Sequence, residues 1–390
     1  MAKLQKIILI VFIACFGVLL LVHNIGILNE EKHQAEIARE NRKITAFPRF
    51  GWGDKRLYSQ FEDWYKDRIK GRERAIRLWR RINFNMGIIL DEDLFLGKNN
   101  WLFSKSNRII ELKDGKQKMQ EVAALQSYCE KQNTKFVLLV APTKESVYLD
   151  EFPESERKNI KSYEYWNSAL QKLADDAGIN YLNVFDKLMD SKKQRLHDVY
   201  FPDDHHWSYY GAEIATDSFL QLSQNLLGRT FYQRQAMDKI YPKAFKEASY
   251  AHRLGISYDS KIDAPYSSKF TDEIYLVDCY TGQEQKVEKI VANDLLWGPI
   301  NYGEAIIKNK QNPNGIKILI LGDSYSSYMS PYLIQYASTI VSTHYRECVD
   351  KKKEVNLAKL IARYQPDIVL LEILGNSFYQ RDSIAQIKLD

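Results

Sequence analysis

Apolar residues follow three rhythms along this chain. The first is a nearly unbroken run, Ile7 to Leu28 (IILIVFIACFGVLLLVHNIGIL). A helix of about twenty residues rises roughly 30 Å, enough to cross a bilayer's hydrocarbon core. Lys3 and Lys6 precede it, which predicts one transmembrane helix with a cytoplasmic N-terminus and the remaining chain outside the cell membrane. No small-x-small cleavage pattern follows, so the run reads as an uncleaved signal-anchor rather than a signal peptide. Residues 1–28 are therefore expected to form a cytoplasmic tip and anchor. Residues 29–48, with alternating charges, read as a polar stalk. Pro48, Gly51 and Gly53 open the folded region 49–390.

The second rhythm is helical. Phe61, Trp64, Tyr65, Ile69, Ile76, Trp79 and Ile82 recur at spacings of three, four and seven. That stripe predicts a helix with a core-facing side, and the arginines between read as its solvated face. The third rhythm begins with a hairpin around Gly97 to Asn100 and a helix over 123–131. Continuous apolar runs then alternate with amphipathic ones. Lys135–Pro142, Ile179–Phe185, Ile316–Leu321, Thr339–Tyr345 and Asp367–Leu374 read as strands of a buried parallel sheet. Helices are expected over 156–177 and 208–219, from Pro331, and over 354–364. Residues 228–312, with short runs such as EIYLVDC and turns at Gly282 and Gly298, read as a small β-rich insertion.

Composition narrows the classes. Hydrophobic residues make up 45% and charged residues 27%, a globular balance with a net charge of +5. The basic clusters are short and accompany no nucleic-acid motif, so no nucleic-acid partner is expected. Cys15, Cys129, Cys279 and Cys348 lie far apart. They fit no zinc spacing, and one bridge at most is left open.

Two segments carry chemistry. Leu321-Gly322-Asp323-Ser324-Tyr325 follows an apolar strand directly. In open α/β sheets ligands bind at the carboxyl ends of strands. A serine there lies close to backbone N–H groups that can hold an oxyanion, and Gly322 permits close approach. Serine needs a base. Phe201-Pro-Asp-Asp-His-His-Trp-Ser supplies one: Asp204 stands two positions before His206 and can orient it through Nδ1, leaving Nε2 for Ser324. Asp203 could pair with His205 at the same spacing. Metal binding by this acidic and histidine cluster is the competing chemistry. Adjacent histidines are awkward joint ligands, so no metal and no cofactor is expected. Lys144, at a strand end, is a candidate site-facing residue.

With these residues the sequence resembles the alginate O-acetyltransferase group of SGNH-hydrolase-like proteins, and the bacterial family named for its Asp-His-His-Trp motif, here Asp204-His205-His206-Trp207. The likeness runs from Phe95 to the end. It includes Gly97-Lys98 with Trp101-Leu102-Phe103, Val140 to Lys144, Gly211-Ala212 and Gly322 to Tyr325. The Asp-x-His segment precedes the Ser segment, the reverse of ordinary SGNH esterases. The resemblance implies an SGNH-hydrolase-like parallel sheet flanked by helices, with permuted motif order. It implies Ser324 as nucleophile, His206 as base and Asp204 as orienter, with Trp207 packed beside the histidine. Asn376 and the Tyr325 N–H are the candidates for oxyanion donors. It further implies an extracytoplasmic O-acetyltransferase that takes acetyl from a membrane-bound O-acyltransferase onto Ser324 and passes it to a polysaccharide. A glycan O-acetylesterase with the same triad, and a non-catalytic glycan-binding or assembly protein, are the alternatives.

Overall fold

The computed structural model describes residues 59–60, 62–63, 72–109, 111–157, 160–194, 197–235, 239–244, 249–256, 261–266, 273–287, 304–344, 355–380, 384 and 387–389. The expected anchor (7–28), the stalk (29–48) and the domain start at residue 49 lie outside them. Among the described residues no helix is long and apolar enough to cross a membrane.

The chain divides into two units, Met1–Leu90 with Leu254–Ile256, and Asp91–Arg253 with Ser257–Asp390. In the first, helix α1 (Arg72–Asn85) carries the second half of the predicted stripe. Trp79 is 60% and Ile82 43% exposed, so the expected core-facing side is not buried at these two positions. Gly255 passes so close to α1 that a Cβ would fall 2.6 Å from the Arg77 carbonyl oxygen, and its φ of +69° suits glycine.

The second unit opens with the predicted hairpin, β1 (Leu94–Leu96) and β2 (Leu102–Ser104), followed by α2 (Gly115–Lys131) and β3 (Lys135–Ala141). The expected helix 156–177 is interrupted, and its main part is α3 (Tyr163–Asp176). Strand β4 is only Tyr181–Leu182, after which α4 (Phe185–Gln194) and α5 (Tyr209–Leu227) follow. Next come β5 (Lys239–Ala244), α6 (Ser249–Leu254), β6 (Lys261–Tyr266), β7 (Ile274–Val277), β8 (Glu284–Lys286), β9 (Glu304–Asn309) and β10 (Ile316–Gly322). The chain closes with α7 (Ser324–Leu333), β11 (Ala337–His344), β12 (Val355–Asn356), α8 (Leu357–Tyr364), β13 (Ile368–Leu374), α9 (Gly375–Gln380) and β14 (Ile387–Lys388).

The main sheet runs β4-β3-β13-β10-β11-β9-β7-β8. From β4 to β11 every pair is parallel. β9, β7 and β8 add an antiparallel edge. Two expectations are corrected here. The sheet is mixed rather than wholly parallel, and part of the 228–312 segment is an edge of that sheet rather than a separate insertion. The central strands are apolar throughout because both faces are covered: all seven residues of β13 are buried, and only Lys317 of β10 is exposed. A third correction concerns α7, which starts at Ser324 rather than Pro331. Asp323 caps it by accepting the Tyr325 N–H at 2.9 Å, and Pro331 falls in its last turn.

Candidate active site

The loop between α4 and α5 folds back on itself as a narrow hairpin. Tyr200 bridges Trp207, the Phe201 N–H donates to the His206 carbonyl (3.2 Å), and the Ser208 N–H to the Val199 carbonyl (2.9 Å). Asp204, His205 and His206 occupy its tip. Ser208 then caps α5 through the Gly211 N–H. Gly211 has to be glycine, since a Cβ there would meet the Val199 carbonyl oxygen at 2.3 Å.

Ser324 follows β10 at the carboxyl end of the sheet, as the first residue of α7. The two segments meet. His206 Nε2 is 2.6 Å from Ser324 Oγ, and His206 Nδ1 is 2.6 Å from Asp204 Oδ1. With Nδ1–H donating to Asp204, Nε2 is left to accept the Ser324 hydroxyl proton. Asp204 also accepts the His206 N–H on Oδ1 (2.8 Å) and the Ser249 N–H on Oδ2 (2.6 Å). Burial alone would raise its carboxyl. The His206 and His205 charges and these hydrogen bonds outweigh that and hold it well below the usual carboxylate range. A permanently ionised Asp204 fixes the histidine tautomer and stabilises an imidazolium. The arrangement can therefore draw a proton from Ser324 and return it.

Aromatic rings enclose the histidine. Tyr325 and Tyr328 each place a ring centroid 5.1 Å from that of His206. Asp204, His205 and His206 also form the cluster whose possible metal-ligand atoms lie within 4.8 Å of one another. Both ring nitrogens of His206 are engaged, one with Asp204 and one with Ser324, a pairing suited to proton transfer rather than to ligation.

Several candidates take other roles. Lys144 is fully buried rather than site-facing. Its ammonium donates to the carbonyls of Phe201 (3.1 Å), Pro202 (3.1 Å) and Asp204 (2.6 Å). Burial pushes it down to about 8, against the pull of Glu145, Asp204 and Asp203. Trp207 is also fully buried and packs edge-on against Tyr325, with its indole N–H donating to the Tyr325 carbonyl (3.0 Å). It supports the site from below and offers no face to a substrate. The Tyr325 N–H is taken by Asp323 Oδ1. The Asn376 amide donates to Asn107 Oδ1 (2.7 Å) and the Ser106 carbonyl (3.3 Å). Both expected oxyanion donors are thus turned to protein partners. Gly322 lets α7 approach β10, since a Cβ would fall 2.5 Å from Ser326 Oγ.

Sequence reasoning missed Ser249, whose hydroxyl also lies 2.9 Å from His205 Nδ1. It comes from the 228–312 segment, read from sequence as a β-rich insertion, and carried no local signal. Tyr328 could have been found, because spacing three after Tyr325 places both on one face of a helix.

The fold is an α/β domain with a Ser-His-Asp constellation at the carboxyl end of its sheet, similar to SGNH-hydrolase-like domains. The family described as "SGNH hydrolase-like domain, acetyltransferase AlgX" matches residues 94–248, a stretch that holds Asp204 and His206 but stops before Ser324. The "Probable alginate O-acetylase AlgJ" of Azotobacter vinelandii is 23% identical over 167 residues, 41% of either chain, so the matched region is about two fifths of that relative's length. Among solved structures, a DHHW family protein from Eubacterium siraeum is similar with a TM-score of 0.57 at 16% identity, covering 77% of this chain and 98% of the other. Bacillus cereus PatB1, solved with a sulfonyl adduct, gives 0.56 at 15% identity, covering 76% and 100%. The likeness to the SGNH-hydrolase-like alginate O-acetyltransferase group thus holds in sequence over residues 94–248, and the likeness to a DHHW family protein in fold.

Proposed function

We propose that this protein is an O-acetyltransferase acting on a polysaccharide outside the cell membrane, through an acetyl-serine intermediate. The observation that carries the reading is the unbroken chain Ser324 Oγ, His206 Nε2, His206 Nδ1, Asp204 Oδ1, with 2.6 Å at both hydrogen-bonded steps. In the first half-reaction Ser324 Oγ attacks the acetyl carbonyl while its proton passes to His206 Nε2. The carbonyl–donor bond breaks, and His206 returns the proton to the leaving group. In the second, a glycan hydroxyl gives its proton to His206 and attacks the acetyl-serine. The ester to Oγ breaks and Ser324 recovers a proton. The oxyanion forms at the start of α7, where the helix dipole favours negative charge and the Ser324 N–H is the donor within reach of its own Oγ.

The matched acetyltransferase family and the alginate O-acetylase named in the curated relative support acetyl as the group moved. The apolar run 7–28 supports anchoring in the cell membrane with the site outside, beside a membrane-bound O-acyltransferase as donor.

Mass spectrometry of the protein after brief exposure to an activated acetyl ester tests this. The expected result is a single acetyl adduct on Ser324, absent from Ser324→Ala, which also loses at least roughly 10³-fold in ester turnover. Transfer to an added oligosaccharide marks a transferase, whereas free acetate alone marks an esterase. An adduct that survives in Ser324→Ala would refute the mechanism.

A further inference from the structure

A cleft of about 1000 Å³ opens away from Ser324, at the carboxyl ends of β3 and β4. That is the sheet edge on which Ser324 also lies. β13 alone separates β3 from β10, so the β3 and Ser324 strands lie about 10 Å apart, at strand spacings of roughly 4.8 Å. Cleft and catalytic hairpin share a wall. His197 and Asp198 line the cleft and lead directly into the 199–208 hairpin. Tyr148, another lining residue, accepts the Val199 N–H on its hydroxyl (3.1 Å).

The lining has the make-up of a sugar site. The exposed His197 lies flat on Tyr210 at 3.7 Å and 4°, while Trp101 and Tyr148, stacked on each other with centroids 4.1 Å apart, are buried in the cleft floor. An exposed flat ring set among many polar groups suits a pyranose, which has apolar faces and hydroxyl edges.

Its charges decide which sugar. Among the described residues three cations line it, and each already has a partner. The Arg157 guanidinium donates to the Phe152 and Asp150 carbonyls, Lys192 to the Val147 carbonyl and the Asp150 carboxylate, and Lys193 sits by Asp190. Against them stand four lining carboxylates, Asp150, Glu151, Glu164 and Asp198. Burial first, and then the neighbouring Glu151 charge, raise Asp198 against the pull of His197 and Lys192. A carboxylate-bearing polymer entering here would meet like charge and no unengaged cation among the described lining residues.

We propose that this cleft is the acceptor subsite, and that it takes a glycan segment without carboxylates, with amine-bearing sugars favoured over neutral ones and polyuronates excluded. The inference rests on the acetyltransferase reading for what the bound glycan receives, but its test is a binding measurement that needs no turnover. Full-length protein carrying Ser324→Ala is titrated calorimetrically with glucosamine, N-acetylglucosamine and mannuronate hexamers. The expected order of affinity is glucosamine, then N-acetylglucosamine, then mannuronate. Glu151→Lys with Glu164→Lys, both at the rim, should weaken glucosamine binding by at least roughly ten-fold. Tightest binding of mannuronate, binding of none of the three, or an affinity order untouched by the double reversal would each overturn the proposal. Thermal melts check that the reversal variant is folded, and Glu164→Gln alone gives a milder change in the same direction. A protein that binds in the expected order but forms no acetyl-serine would instead defeat the acetyltransferase reading and leave the subsite standing.

Discussion

Glu372 lies fully buried on β13, directly beneath the turn that carries Ser324. It accepts the Asp323 N–H on Oε2 (3.1 Å), while Asp323 accepts the Leu374 N–H (2.9 Å). Burial first, and then the neighbouring Asp323, raise its carboxyl well above the ordinary value. A group raised by folding contributes stability that is complete below its unfolded value, about 4.3, and is lost as pH climbs toward the folded one. Glu372→Gln removes that dependence. Its unfolding free energy relative to the parent should rise with pH, by up to about 1.4 kcal/mol per unit above that point. Urea melts at a series of pH values check it, and a pH-independent difference would mean that Glu372 is ionised in the folded protein. This residue was not legible in the sequence. DIVLLEIL reads as an apolar strand with one polar position, and nothing local says that its glutamate faces the Asp323 backbone of another strand. Ser324, His206 and Asp204 could be nominated because strand-to-GDS and Asp-x-His are local patterns whose chemistry depends on short spacings.

At the scale of elements, the 199–208 hairpin is held from outside by residues distant in sequence. Lys144 fastens its tip carbonyls, the Leu102 N–H donates to the Pro202 carbonyl (2.9 Å), and the Tyr200 hydroxyl donates to the Pro142 carbonyl. Lys144→Met would leave three buried carbonyls without their cation. The expected cost is about 2–4 kcal/mol, read by chemical denaturation. In the folded fraction kcat for ester turnover should fall more than KM rises, because the loosened tip misplaces His206 without touching the substrate. A surface lysine would show neither effect. The sequence pointed to Lys144 for the wrong reason: its place at a strand end was visible, but its burial depends on the β1–β2 hairpin folding over it. The start of α7 was missed because Pro331 drew the helix start to itself, while Asp323, already noticed as part of the GDS turn, was the cap.

Across the whole molecule, the alternation of apolar strands and helices was enough to indicate an α/β sheet, because parallel strands buried on both faces leave continuous apolar runs. The antiparallel edge β9-β7-β8 was not legible as part of that sheet. Its strands are short and unalike, apolar in β7 (IYLV) and wholly polar in β8 (EQK), and pairing such as Ile340 with Ile307 joins segments separated by the whole of β10 and α7. On the function proposed above, the N-terminal run 7–28 anchors the chain with the site outside the membrane. Labelling of spheroplasts with a membrane-impermeant maleimide tests this arrangement against the parent background. Tyr280 is 80% exposed, so Tyr280→Cys should be labelled from outside, and Lys3→Cys only after the membrane is opened. The reverse pattern would put the triad in the cytoplasm. It would remove the need for a membrane-bound donor, because cytosolic thioesters could then reach Ser324 directly.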